Sequence, residues 1–124
     1  MKKRLDLWAM TVGQLVERFA ELALGQDQAQ LFGKIKLYNR LYDDIVVVKD
    51  ELKSRPGDQR SALVPLYTHA NPQVRLLAAQ WSLAVERGAA RQVLQDISDR
   101  NIYPQAAYAR QSLEALDRGE SKLI

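Results

Sequence analysis

The 124-residue sequence contains no cysteine. That absence excludes disulfides, thiolate metal sites and cysteine nucleophiles together, and it fits a reducing compartment. Histidine occurs once, at His69. It stands in a turn-like stretch with no acidic or thiol neighbour, and a metal site needs several convergent ligands, so it reads as a turn residue. With one imidazole and no thiol, most nucleophile–base constellations are unavailable. The six glycines are scattered, and none falls in a phosphate-cradling loop or a serine-nucleophile elbow. Asp43 and Asp44 are adjacent, which on a helix turns them about 100° apart and off any shared face. No catalytic, cofactor-binding or metal-binding residue is expected, and the protein is expected not to be an enzyme.

Long apolar runs are missing as well. No stretch approaches the roughly 18 apolar residues of a membrane span. Lys2, Lys3 and Arg4 resemble the start of a signal peptide, but the apolar segment after them is short and is interrupted by Asp6. A cytoplasmic protein with no membrane partner is expected. Strand-like alternation is also missing, and so is a dense basic stripe. The net charge of +3 comes from 18 basic and 15 acidic residues mixed along the chain, a weak footprint for nucleic acid.

What is present is helical spacing. Apolar residues make up 47% of the chain, enough for one compact domain with a core, and they recur with helical period nearly throughout. About six helices are expected. The first begins at Thr11, where Thr11 and Gln14 fit a capping box, and buries Val12, Leu15, Val16, Phe19 and Ala23. The second runs from about Lys34 to Lys53 with Ile35, Tyr38, Tyr42, Ile45 and Leu52 on its core face. The segment Ser54-Arg55-Pro56-Gly57-Asp58 stops it, and Asp58 caps a short helix over about Gln59 to Tyr67, bent by Pro65. A fourth starts at Asn71-Pro72 and runs to a break at Gly88. A fifth covers about Ala89 to Asp99, and a sixth opens at Pro104 and ends near Gly119.

The fourth helix is apolar on two faces. Val74, Leu77, Ala78, Trp81 and Val85 lie on one, and Leu76, Ala79 and Leu83 on the other, separated by narrow polar edges. Such a helix needs neighbours on both sides. The first and last helices have one apolar face each. The last carries Ala106, Ala109, Leu113 and Leu116 inward and an outward charge ladder of Arg110, Glu114 and Arg118. One-sided ends around a two-sided middle suit a short solenoid. A degenerate internal repeat agrees: Pro72-Gln73 recurs as Pro104-Gln105, and Ser82-Leu83 as Ser112-Leu113.

Leu63, Pro65 and Leu66, then Asn71-Pro72-Gln73-Val74-Arg75, then Ala78-Ala79 and Leu83, resemble a HEAT repeat. The turn before Arg75 departs from that pattern, reading Thr68-His69-Ala70-Asn71 with no acidic residue. From Met10 onward the chain is similar to a small bacterial family of HEAT-like domains of uncharacterised function, through Tyr38-Asn39-Arg40-Leu41-Tyr42-Asp43 and Arg55-Pro56-Gly57-Asp58-Gln59-Arg60. The resemblance implies an all-α fold, a short right-handed α–α superhelix (HEAT/armadillo-like) with its helices in antiparallel pairs. It implies no catalytic residues and offers adaptor or immunity-type partners as a lead.

The expected organisation is an N-terminal arm over 1–9, which would precede an alternative start at Met10, then one HEAT-like domain over 10–119 and a tail over 120–124. Trp8 in the arm is expected to fold back onto the stack. The expected function is a protein-interaction module, whose partner is another protein. Its candidate contact row is the polar edge Gln73, Gln80 and Arg87, joined by Tyr108. Nucleic-acid binding is the alternative, with Lys34, Lys36, Arg40, Arg87 and Arg91 as candidate phosphate contacts.

Overall fold

A computed structural model describes residues 3–119, with side chains from Asp6 onward. Residues 1 and 2 of the expected arm and the expected tail, 120–124, lie outside the described residues. Among the described residues there are five α-helices and two 3-10 helices, and no strand. No described helix is long and apolar enough to cross a membrane. The chain divides into two compact units, Met1–Ala62 and Leu63–Ile124.

The first unit holds a 3-10 helix (Lys3–Ala9), α1 (Val12–Leu31) and α2 (Ile35–Ser54). The capping box forms as the sequence indicates: Gln14 N–H donates to Thr11 Oγ1 (3.1 Å) and Thr11 N–H to Gln14 Oε1 (2.9 Å). α1 ends at Leu31 and is stopped by Gly33, whose φ of +68° suits glycine. There Lys34 N–H reaches back to Ala29 O and Gly33 N–H to Gln30 O, the paired bonds of a Schellman stop. Gly25 lets the two helices approach, because a Cβ there would meet Leu41 Cδ1 at 3.1 Å. Leu15, Phe19, Leu22 and Ala23 of α1 are buried, as are Ile45, Val48 and Leu52 of α2.

Two residues expected in this core are not there. Ile35 is 70% exposed and Tyr42 is 40% exposed. The buried stripe of α2 is Ile45, Val48, Lys49 and Leu52. Ile35 opens the helix at the free end of the α1–α2 hairpin, and Tyr42 lies seven positions along the same edge. The arm does fold back: Leu7 is buried, and Arg55 Nη2 donates to Leu7 O (3.1 Å) and Met10 O (2.9 Å) while its Nε holds Glu51 at 2.8 Å. Trp8 does not follow, and stays 76% exposed.

The short helix expected over about Gln59 to Tyr67 is present as a 3-10 helix, Gln59–Thr68. Pro65 has no N–H to give to the residue four before it, so an α-helical ladder cannot run through this short segment. The division between the units falls within it.

The second unit contains α3 (Pro72–Ser82), α4 (Arg87–Asp99) and α5 (Gln105–Asp117). Asn71 caps α3, its Oδ1 accepting from Gln73 N–H (2.8 Å) and Val74 N–H (3.4 Å), with Pro72 in the first turn. α3 packs on both α4 and α5. Val74, Leu76, Leu77, Ala78 and Ala79 are all buried, so both apolar faces are covered. α5 buries Ala106, Ala109, Leu113 and Leu116, the expected stripe. The break between α3 and α4 comes earlier than Gly88. α3 ends at Ser82, whose hydroxyl bonds Ala78 O at 2.6 Å, and α4 already starts at Arg87 with Gly88 in its first turn. The Tyr103–Pro104 peptide is cis.

Candidate functional site

The expected contact row does not form one exposed edge. Gln73 is fully buried, and its Oε1 accepts from Gln105 Nε2 at 2.9 Å. An uncharged amide in the core is satisfied by a second amide, which offsets its desolvation. Gln80 is half-buried and donates to Ser112 Oγ at 3.0 Å. Arg87 is exposed, but it belongs to α4 because α3 ends before it. Tyr108 is 39% exposed on α5. Gln73 is thus corrected from a contact residue to an internal link, and Gln80 to a partner of α5.

These two links have the same sequence separation, 32 residues. Two bonds seven positions apart at constant offset mean that α3 and α5 run in the same direction and in register. The offset places Val74, Leu77 and Trp81 opposite Ala106, Ala109 and Leu113. The Pro-Gln recurrence is therefore the structural register. The Ser-Leu recurrence is not, since Ser82 bonds the Tyr67 hydroxyl instead.

Arg110 also leaves its expected place in a solvent-facing ladder. Its Nη2 donates to Ser98 O (2.8 Å) and Asn101 Oδ1 (2.5 Å), and its Nε to Ser98 Oγ (3.0 Å). It also bonds the Tyr103 hydroxyl, with the guanidinium 5.4 Å from that ring's centroid. It clasps the α4–α5 turn. In the turn before α3, Arg75 Nη1 donates to His69 O (2.7 Å) and Ala70 O (3.1 Å). Backbone carbonyls hold the arginine in this turn. His69 Nδ1 accepts from Asn71 N–H at 3.0 Å, so the imidazole is a turn element. No group of three or more potential metal ligands gathers among the described residues.

Perturbed titration marks structure here rather than chemistry. The Arg60 side chain, hydrogen-bonded to Asp58 at 2.8 and 2.6 Å, holds the Asp58 carboxyl below the usual carboxylate range. Asp58 itself sits at φ +51°, next to Gly57. Burial raises the Tyr67 phenol, against the opposing hydrogen bond to Ser82.

The accessible surface with character lies in the first unit. Leu31 (76%), Phe32 (69%) and Ile35 (70%) are exposed within five consecutive residues at the hairpin tip. Lys34, Lys36 and Arg40 are exposed around them, and residues 28–42 contain no carboxylate. Near the start of α1 an open groove of about 400 Å³ has Leu7 and Met10 in its lining with the carboxylates Asp6, Glu17 and Glu21. Gln14 and Arg18 complete it. The sequence did carry a signal for the tip, since Leu31-Phe32-Gly33 places two large apolar residues against a helix-stopping glycine.

None of the curated proteins compared is detectably similar to the chain. A solved structure, the crystal structure of the protein RPA1889 from Rhodopseudomonas palustris CGA009, matches with a TM-score of 0.92 and 44% identity over 94% of this chain and 97% of that one. Residues 13–117 match a family described as a domain of unknown function, DUF2019. That match takes in nearly all of α1 and every later helix, so the chain belongs to the DUF2019 family.

Proposed function

We propose that the protein is a non-enzymatic protein-interaction module of the cytoplasm, of the adaptor or immunity type, built as a short HEAT-like α–α superhelix. The superhelix reading is supported in the second unit by the constant 32-residue register of α3 and α5, a spacing within the range of helical repeats. The interaction reading rests on one observation above all: Leu31, Phe32 and Ile35 are exposed together. Clustered large apolar side chains on a surface mark contact sites, whereas scattered ones do not.

The test is affinity capture from native lysate with nuclease treatment, using wild type beside a Phe32→Ser/Ile35→Ser variant. A protein held by wild type and released by the variant is the expected result. Capture indifferent to the variant contradicts the reading.

One observation favours nucleic acid as the second reading. Lys34, Lys36 and Arg40 are exposed close together at the N-cap and in the first turns of α2. Arg91 contributes less to it, since it is 2.7 Å from Asp117. That reading requires duplex or single-strand affinity that falls steeply with salt. Salt-insensitive capture of protein, with no nucleic acid copurifying, excludes it.

A further inference from the structure

We propose that the α1–α2 tip docks into the groove at the start of α1 of a second copy of this chain, giving head-to-tail association. The inference rests on the interaction reading above and names the partner. Both surfaces belong to the first unit and are opposite in chemistry. The tip projects Leu31, Phe32 and Ile35 among Lys34, Lys36 and Arg40. The groove presents half-buried Met10, over the buried Leu7, among Asp6, Glu17 and Glu21. Residues 6–21 carry these three carboxylates against one cation, Arg18, while residues 28–42 carry three cations and no carboxylate.

The tip cannot enter its own groove. Gln14 and Leu31 belong to one continuous helix and its cap, so they are about 25 Å apart along a rod that does not fold back. Complementary surfaces at opposite ends of a rigid element meet only between molecules. The contact is heterologous, because one surface of each copy meets a different surface of the next, so it propagates beyond a dimer. A tip of three apolar side chains covers less than the roughly 800 Å² per partner of a standard interface. The association is therefore weak and salt-sensitive, since three cations face three carboxylates across a solvated rim.

Sedimentation velocity from micromolar to millimolar protein, at low and high salt, tests this. Wild type is expected to gain mass with concentration at low salt and to lose it at high salt. Phe32→Ser/Ile35→Ser stays monomeric. Lys34→Glu/Lys36→Glu and Glu17→Lys/Glu21→Lys each weaken association by about tenfold or more. An equimolar mixture of these two charge-reversed variants associates again. All six substituted side chains face solvent, and unchanged helical circular dichroism confirms folding.

Association that survives the groove variant indicates a symmetric tip-to-tip contact and overturns the proposal, as does failure of the mixture to recover. A monomer at every concentration that still captures another protein through the tip, or binds anionic vesicles through it, overturns the second-copy assignment alone. A monomer whose capture ignores the tip overturns both this inference and the interaction reading.

Discussion

Both units bury polar groups, Gln26 in the first and Gln73 in the second, but they differ in the large apolar side chains they leave in water. In the second, polar groups are turned inward and matched: Gln73 meets Gln105, Gln80 meets Ser112, and Arg110 closes the α4–α5 turn. In the first, apolar groups are turned outward: Trp8, Leu31, Phe32 and Ile35 all keep more than two thirds of their surface in water. A folded domain gains nothing in its own stability from leaving such side chains wet, at about 25 cal/mol per Å² of apolar surface. It does gain from satisfying buried amides. The contrast separates residues that hold the fold from residues left exposed on the surface.

Substitutions can sharpen that contrast, and the largest effect belongs to the buried side of the first unit. Phe19 is fully buried, so Phe19→Ala is expected to cost about 3–5 kcal/mol in chemical denaturation. Next comes the amide link. Gln73→Ala strands a buried Gln105 amide and should cost about 1–3 kcal/mol, whereas Gln73→Leu/Gln105→Leu should recover most of the loss. A double substitution as damaging as the sum of the singles would contradict the pairing.

Arg110→Ala is expected to cost about 1–2 kcal/mol, since its bonds are only partly buried. Arg110→Lys should not rescue it, because an ammonium cannot reproduce the planar fork that reaches Ser98, Asn101 and Tyr103 at once. Full rescue by lysine would reduce the clasp to a point charge.

A smaller effect is set by pH. Asp58 titrates below its ordinary range because Arg60 bonds its charged form. Its contribution is therefore present above the unfolded carboxylate pKa of about 3.9 and is lost as pH falls through the lowered folded value. Asp58→Asn should lower the melting temperature at neutral pH and flatten the acid limb, so that the two curves converge in acid. Curves that stay parallel into acid would remove Asp58 from the linkage. The smallest stability change is at the tip, where Phe32→Ser should stay within about 0.5 kcal/mol of wild type. A large loss there would place Phe32 among the residues that hold the fold.

Local chemistry was legible in the sequence. Thr11 with Gln14, Asn71 with Pro72, and the inward stripe Ala106, Ala109, Leu113 and Leu116 need only neighbours within a turn or two, and each appears as read. The two-faced apolar pattern after Pro72 also appears, because it states how much of one helix must be covered. What the sequence did not reveal depends on which distant residue lies opposite. Gln73 looks like a surface amide until Gln105 is brought to it 32 residues later. Arg110 fits an i,i+4 ladder equally well until Ser98 and Asn101 supply fixed acceptors. Ile35 fits the helical period, yet it stands at the hairpin's tip, where period alone cannot supply a neighbour. The candidate contact row does not share one edge for the same reason: Gln73 is buried, and Arg87 lies on α4, beyond the end of α3 at Ser82.

The most direct measurement is a methyl-resolved NMR dilution series of the intact protein at low salt. The account predicts concentration-dependent shifts for the methyls of Met10, Leu31 and Ile35. It predicts none for Leu94, Ile97 and Leu113, which are buried in the second unit. Shifts confined to the second unit, or none up to millimolar concentration, would contradict the assignment of contact to the tip and groove of the first.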